Sequence, residues 1–161
     1  MEGSGNLRRF SLLAAVLAVA CGTPTASESD AVLSLVVVPD AVQPGDSLRA
    51  VFTVVNPTRY PLTLTLYSTC TAQLTALRDG QRVILEGTSF ACGARITKVT
   101  IAPLDSLVRV YPLVAMLQES GPPYEYVIPP PIGTYTLRAM PEWDVAHLEY
   151  EFEVLELGGA T

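Results

Sequence analysis

Apolar and polar residues alternate with a period of two along most of the chain after residue 30. Residues 148–154 (LEYEFEV) set four apolar side chains between three glutamates, and residues 62–67 (LTLTLY) alternate in the same way. Because successive side chains of a strand point to opposite faces, each run predicts a strand with one face on a core. No window carries an apolar stripe at helical spacing, so the pattern indicates an all-β domain.

Turn signals divide these runs at short intervals: residues 43–46 (QPGD), 56–57 (NP) and 129–131 (PPP). Asp79-Gly80 predicts a hairpin, because both residues tolerate a positive φ. Residues 32–38 (VLSLVVV) are more continuously apolar, which predicts a strand with little free surface. Together the elements predict an immunoglobulin-like antiparallel β-sandwich of about eight or nine strands; periodicity leaves a closed barrel open as the alternative.

The N-terminal segment has the pattern of an export signal. Arg8 and Arg9 precede an apolar run over residues 10–20, and Cys21 follows. The run is too short to cross a bilayer, which needs about 20 residues, so we expect residues 1–20 to be removed by general secretion.

Ala20 and Cys21 resemble the lipobox of bacterial lipoprotein signals, although Ala18 departs from the usual leucine. The resemblance implies lipidation of Cys21 at its thiol and its new amino terminus; an ordinary signal peptide with a chance cysteine is the alternative. Residues 21–30 are then a lipidated tether and residues 31–157 the folded domain. The expected location is the cell envelope, on its periplasmic or extracytoplasmic side.

Charge limits the partners. The chain has a net charge of −6, and residues 1–20 remove Arg8 and Arg9 against Glu2 alone, so the exported part is more acidic still. This balance argues against nucleic acid as a partner. Lys98 is the one lysine and cations are not clustered, so we expect attachment to the membrane to be through the lipid anchor.

Cys70 and Cys92 flank the predicted hairpin. An even number of cysteines in an exported domain favours a disulfide, here closing a loop of about 22 residues and contributing about 3 kcal/mol. Two free thiols are the alternative. The pair and the distant His147 do not make a tetrahedral ligand set, so we expect no metal and no cofactor.

Groups for catalysis are few. His147 is the one histidine, no Gly-x-Ser-x-Gly elbow occurs, and Glu149, Glu151 and Glu153 share the outward face of one predicted strand. We therefore assign no catalytic residue and expect a protein that is not an enzyme.

Residues 118–132 (QESGPPYEYVIPPPI) form the predicted binding loop, with Tyr124, Tyr126, Pro129 and Pro130 as its contact residues. Prolines restrict an unbound loop and tyrosines offer amphipathic contact area, which lowers the ordering cost of binding. A proline-stiffened connection between two sheets is the alternative. We expect Trp143, in a predicted turn, to close the end of the core.

Five motifs occur in a familiar order: residues 42–46 (VQPGD), 56–58 (NPT), 62–64 (LTL), 77–80 (LRDG) and 133–137 (GTYTL). Together they resemble the BsuPI-type intracellular proteinase inhibitor domain over roughly residues 33–154. The tryptophan-containing segment of that family has no match in residues 82–87. The resemblance implies an immunoglobulin-like fold and a proteinase-inhibitor-like module.

From these features we expect a membrane-anchored lipoprotein with a non-catalytic binding domain. Its partner is expected to be a protein, and the resemblance implies an exported protease. A structural or assembly component of the cell envelope is the alternative function.

Overall fold

A computed structural model of the chain describes residues 24–88, 91–121, 124–143 and 147–156, without the side chains of residues 119–126. Cys21 and the predicted signal lie outside the described residues. The described part holds one 3₁₀ turn (Glu28–Asp30) and twelve strands. The strands are β1 (Val32–Val38), β2 (Ala41–Val42), β3 (Ser47–Val55), β4 (Leu62–Ser68), β5 (Ala72–Arg78), β6 (Gln81–Val83), β7 (Leu85–Glu86), β8 (Ala94–Ile101), β9 (Ser106–Gly121), β10 (Tyr124–Ile128), β11 (Gly133–Pro141) and β12 (Leu148–Val154).

The strands form a sandwich. The front sheet contains β1, β3, β9 and β10 in that order, with β7 also paired to β9; the back sheet has the order β2-β12-β11-β5-β6. A third sheet, the side sheet, pairs β4 with β8. All pairs between named strands are antiparallel except β2 with β12. The fold is therefore the predicted all-β sandwich, with nine strands of five residues or more.

A single apolar core fills the space between the sheets. Its largest fully buried side chains come from the front, back and side sheets alike: Tyr135, Phe52, Phe152, Leu48, Leu62, Leu64, Leu85, Leu113 and Leu137. The Tyr135 hydroxyl donates to the Pro131 carbonyl oxygen at 2.8 Å, four residues upstream, which is the tyrosine corner typical of immunoglobulin-like sandwiches. Trp143 packs against the same core, 6.2 Å from the ring of Phe52, as its turn position predicted.

The two local predictions around the cysteines are confirmed. Asp79 and Gly80 have φ of 49° and 73° and form a two-residue hairpin in which Arg78 pairs with Gln81. Cys70 and Cys92 form a disulfide, with their Cα atoms 5.5 Å apart. The bridge joins the connection between β4 and β5 to the segment before β8.

The prediction for residues 32–38 was wrong. Only alternate residues of β1 face the core, and the outward side chains of Val32, Val36 and Val38 are exposed. The error has a simple cause, since a strand covered on one face can still carry valine on the other because valine favours extended backbone.

Residues 118–132 are also not one long loop. β9 continues to Gly121 and pairs with β10, with Tyr126 opposite Glu119 and Tyr124 opposite Gly121. The segment 124–128 (YEYVI) is rich in aromatic and β-branched residues, which favour a strand, and the loop is confined to the prolines that follow it.

The predicted tether is partly joined to the domain. The Ala26 amide donates to the Pro61 carbonyl oxygen at 3.0 Å, and Ala26 forms a parallel bridge with Leu62 at the start of β4. The Thr65 amide donates to Glu28 Oε1 at 2.8 Å. These contacts extend the folded unit back to residue 26, five residues before the predicted boundary.

Candidate binding surface

The outward face of the front sheet is apolar across three neighbouring strands. Val36 of β1 lies opposite Val51 of β3, and Val51 lies opposite Val110 of β9. Directly opposed side chains have Cβ atoms about 4.5–5.5 Å apart, so this row forms one contact surface. The adjoining rows extend it, and we call the following residues the valine face: Val32, Val36, Val38, Val51, Val108 and Val110.

Most of this face is open to solvent. The exposed fractions are 54% for Val32, 41% for Val36, 43% for Val38, 47% for Val108 and 53% for Val110. Single exposed apolar residues are common, but a contiguous group of them marks an interaction site in many soluble proteins. The valine face is therefore the strongest candidate for a binding surface in the described part of the chain.

Arg49 is the charged residue that the strand register places within the valine face, between Val38 and Pro112. It is exposed, and it forms no ion pair with any described residue. Among the described outward positions on these rows, the other polar residues are serine and threonine. A partner that covers the face would remove water from this guanidinium. The charge would then need a new hydrogen-bonding partner, and a carboxylate on the partner protein suits its planar donor groups best.

Behind the valine face, a hydrogen bond joins the two large sheets. The Ala72 amide of β5 donates to the Tyr111 hydroxyl of β9 at 3.2 Å, so this bond joins the front sheet to the back sheet. Burial raises the pKa of Tyr111, partly offset by that hydrogen bond and by Arg109. Tyr111 therefore stays neutral at ordinary pH and supports the sheet from within.

The predicted contact residues lie on β10, the strand that pairs with β9, or in the connection that follows it. Tyr124 and Tyr126 are in β10, and their side chains lie outside the described residues. Val127, between them and the prolines, is half exposed and pairs with Gln118, whose position on β9 shares a face with Val110. Through Val127, the outward surface of the front sheet continues onto β10.

The prolines divide between surface and structure. Pro129 is exposed, whereas Pro130 is buried and does not offer the contact area that we predicted for it. The next two residues fasten the segment to the sandwich, because the Pro131 carbonyl oxygen accepts from Tyr135 and the Ile132 carbonyl oxygen accepts from Arg78 at 3.3 Å. This part of the prediction matches its alternative, a stiff connection between sheets.

The acidic strand β12 carries its three glutamates toward solvent, as its alternation predicted. Arg138 of β11 donates to Glu149 through Nε and Nη2 at 2.8 and 2.6 Å, and His147 Nε2 lies 3.5 Å from the same oxygen. A shallow depression of about 340 Å³ lies beside Glu151, Glu153 and Asp40. Within the described residues, no three His, Cys, Asp or Glu side chains form a group that could hold a metal ion.

The valine face could not be predicted from the pattern of any single strand. Val36, Val51 and Val110 are far apart in sequence, and only the register brings them together. The signal available beforehand was the scarcity of charge: alternate positions of residues 32–38 and 106–112 carry no Asp, Glu, Lys or Arg on the side that turned out to face solvent.

No protein-family model matches the chain, and no curated protein matches it. Solved structures with a similar arrangement include a β-glucosidase of Erythrobacter marinus (14% identity, TM-score 0.47) and one of Listeria innocua (12%, 0.47). The matches cover 78% and 77% of this chain but only 15% and 16% of the glucosidases. The CARDB domain of a Pyrococcus furiosus protein, in complex with di-metal ions, matches over 78% of this chain and 93% of its own, at 13% identity and a TM-score of 0.33.

These likenesses are too distant to assign the chain to a family or an activity. Among the described residues, no helix is long and apolar enough to cross a membrane.

Proposed function

We propose that this chain is a membrane-anchored lipoprotein whose immunoglobulin-like domain binds a protein partner without catalysing a reaction. The anchor is Cys21, and the observation that carries the binding role is the valine face on the front sheet. The partner has an apolar surface and presents a carboxylate to Arg49. Protein interfaces commonly combine an apolar core with a few paired charges.

The anchor has a direct test. Cys21→Ser removes the thiol on which lipidation depends, so we expect a chain that is neither processed at that bond nor labelled by radioactive palmitate. Retention in membranes after a carbonate wash, with the signal removed and Cys21 replaced, would contradict the anchor.

The binding surface is tested by photocrosslinking in intact envelopes. A benzoylphenylalanine is placed at Val110, and the matched control carries it at the exposed Glu151 on the back sheet. We expect one crosslinked product of fixed mass from position 110 and none from position 151.

Dependence on charge separates this product from adventitious capture. Arg49→Glu should abolish it, whereas Arg82→Glu, which reverses an exposed arginine outside the valine face, should leave it unchanged. Crosslinking that persists in Arg49→Glu would overturn the proposed partner chemistry.

An exported protease is the partner class that the BsuPI resemblance suggests. We expect the purified protein to inhibit at least one member of a panel of exported proteases, and Tyr124→Ala with Tyr126→Ala to weaken that inhibition if the β9–β10 hairpin takes part. Absence of inhibition and binding across the panel would remove the protease and leave the question of another protein partner to the crosslinking.

A structural or assembly role in the envelope is the second candidate. It is favoured by β8, whose outer edge has no partner strand among the described residues and whose Ile96 is 71% exposed. An open edge of this kind can accept a strand from a neighbouring protein. A crosslink from Ile96 into a major envelope protein, with none from Val110, would favour this role over the first.

A further inference from the structure

Two connections form one end of the sandwich, which we call the tip: residues 56–61 between β3 and β4, and residues 102–105 between β8 and β9. The Asn56 side chain is fully buried and holds them together. Its amide nitrogen lies 2.8 Å from the Tyr60 carbonyl oxygen, 3.2 Å from that of Ile101 and 3.0 Å from that of Ala102. The tip is thus a fixed platform in which the two connections keep one relative position.

The platform carries exposed apolar side chains outward. Leu104 is 76% exposed and Tyr60 is 43% exposed, and Pro57, Pro61 and Pro103 are exposed beside them. Arg59 is exposed as well and forms no ion pair among the described residues, while the Asp105 carboxylate accepts a hydrogen bond from the Ser106 amide. The tip therefore combines apolar and aromatic side chains with one cation and one partly satisfied carboxylate.

Leu104 occupies a position that stability alone would not give to leucine. The Asp105 amide donates to the Ala102 carbonyl oxygen, closing a turn in which Pro103 is second and Leu104 third. Leu104 has a φ of +60°, in the left-handed region where such turns normally carry glycine. A strained, exposed leucine is an outlier of the kind that points to a function.

The same end of the domain is where the chain leads toward its anchor. Ala26 pairs in parallel with Leu62 and its amide donates to the Pro61 carbonyl oxygen, so residues 24 and 25 lead toward the tip. Four residues lie between Cys21 and Ala26, and the five Cα–Cα steps that join them reach at most about 18 Å. A lipid on Cys21 therefore holds Ala26, and the tip beside it, within about that distance of the bilayer surface.

We propose that the tip is a second, non-covalent contact with the membrane: Leu104 and Tyr60 enter the boundary between headgroups and acyl chains, and Arg59 lies among the phosphates. This inference rests on the proposed lipid anchor. Tyrosine and arginine both favour that layer, and an exposed leucine gains free energy on entering it. The contact fixes the orientation of the domain, so the long axis of β3 points away from the membrane and the valine face stands roughly upright.

The experiment uses the lipidated full-length product purified from membranes and reconstituted in phosphatidylethanolamine and phosphatidylglycerol vesicles containing lipids with a nitroxide near the headgroup. Leu104→Cys is labelled with a fluorophore, and the matched control is Ser47→Cys, also exposed, at the other end of β3 and about 26 Å from Val55. Cys70 and Cys92 are bonded to each other and do not react. We expect the label at 104 to be quenched about threefold more strongly than the label at 47, because interfacial side chains lie within about 10 Å of the headgroup boundary.

A second pair of variants separates insertion from mere proximity. Tyr60→Ser in the Leu104→Cys background should reduce the quenching, whereas Tyr67→Ser, at an exposed tyrosine on the outward side of β4, should not. Equal, weak quenching at positions 104 and 47 in protein that still floats with vesicles would overturn the tip contact and leave the anchor standing. Failure of the protein itself to float would overturn both.

Discussion

The two outward faces of this sandwich have the same geometry and opposite chemistry. On the front sheet a row of opposed residues reads Val36, Val51, Val110; on the back sheet Arg138 lies opposite Glu149, and Thr136 opposite Glu151. We call Glu149, Glu151 and Glu153 the carboxylate face. The inner faces of both sheets are apolar and pack into one core.

The difference teaches which positions folding leaves free. A strand in a sandwich needs one buried face, and the core is complete whether the other face carries valine or glutamate. The carboxylate face keeps the back sheet solvated, because its negative charges oppose association with other proteins. The valine face leaves its apolar surface in water, and this is the observation on which the proposed partner rests.

The largest effect is expected from placing charges on the valine face. Val36→Asp with Val110→Asp would bury two unpaired carboxylates in the proposed interface, so affinity for the crosslinked partner should fall at least about a hundredfold. The matched control, Glu151→Lys with Glu153→Lys, changes two charges on the other face and should alter affinity by less than about threefold. The affinity of each variant for the partner can be measured by titration calorimetry with reconstituted protein. The two variants change the net charge in opposite directions, so equal losses of affinity would mean that binding does not depend on the valine face in particular.

The second effect compares the two sides of one strand. Val37 is buried and Val36 is exposed, so Val37→Ala should lower the free energy of unfolding by about 2 kcal/mol, against less than about 0.5 kcal/mol for Val36→Ala. Urea denaturation followed by the fluorescence of Trp143, the one tryptophan, gives both values. A large loss in Val36→Ala would assign the valine face to stability and weaken its role in binding.

The sequence predicts the carboxylate face better than it predicts the valine face. The carboxylate face followed from residues 148–154, because alternation of charged and apolar residues determines which side meets water. Residues 32–38 carry valine or leucine on both sides, so their burial depended on whether a further layer covers the sheet, which no local pattern contains. The disulfide and the Asp79-Gly80 hairpin were local and were found.

The surface residues were predicted less well for the same physical reason. The prolines of residues 118–132 predicted a long loop, yet residues 124–128 pair as a strand and Pro130 is buried. The valine face and the tip both bring together residues from distant strands. Asn56 was recognised as part of a turn, but its hydrogen bonds to residues 101 and 102 depend on the packing of two connections.

The front and back sheets each contain a tyrosine whose pKa is raised by burial, and these two residues should respond alike to alkaline pH. Burial raises the pKa of Tyr111 in the front sheet and of Tyr135 in the back sheet above the usual 10.0. The neutral forms therefore stabilise the fold below pH 10, and this stability is lost as pH rises through 10 toward the folded values. Tyr135→Phe should cost about 1 kcal/mol at pH 7, from the lost hydrogen bond to Pro131, and should flatten the decline in urea midpoint above pH 10. An unchanged alkaline decline in both Tyr135→Phe and Tyr111→Phe would assign it to other groups.

The smallest effect is expected on the carboxylate face itself. Arg138 and Glu149 form the best ion pair there, but their side chains are 36% and 43% exposed. Exposed pairs contribute little because water screens them and two long side chains must be ordered, so Glu149→Gln should cost less than about 0.5 kcal/mol. That cost should vanish in 1 M salt, where the Debye length is about 3 Å. A loss of unfolding free energy above about 1 kcal/mol that persists in high salt would give the carboxylate face a structural role. The two outward faces would then differ in another way, because one would be needed for folding and the other would be free to bind.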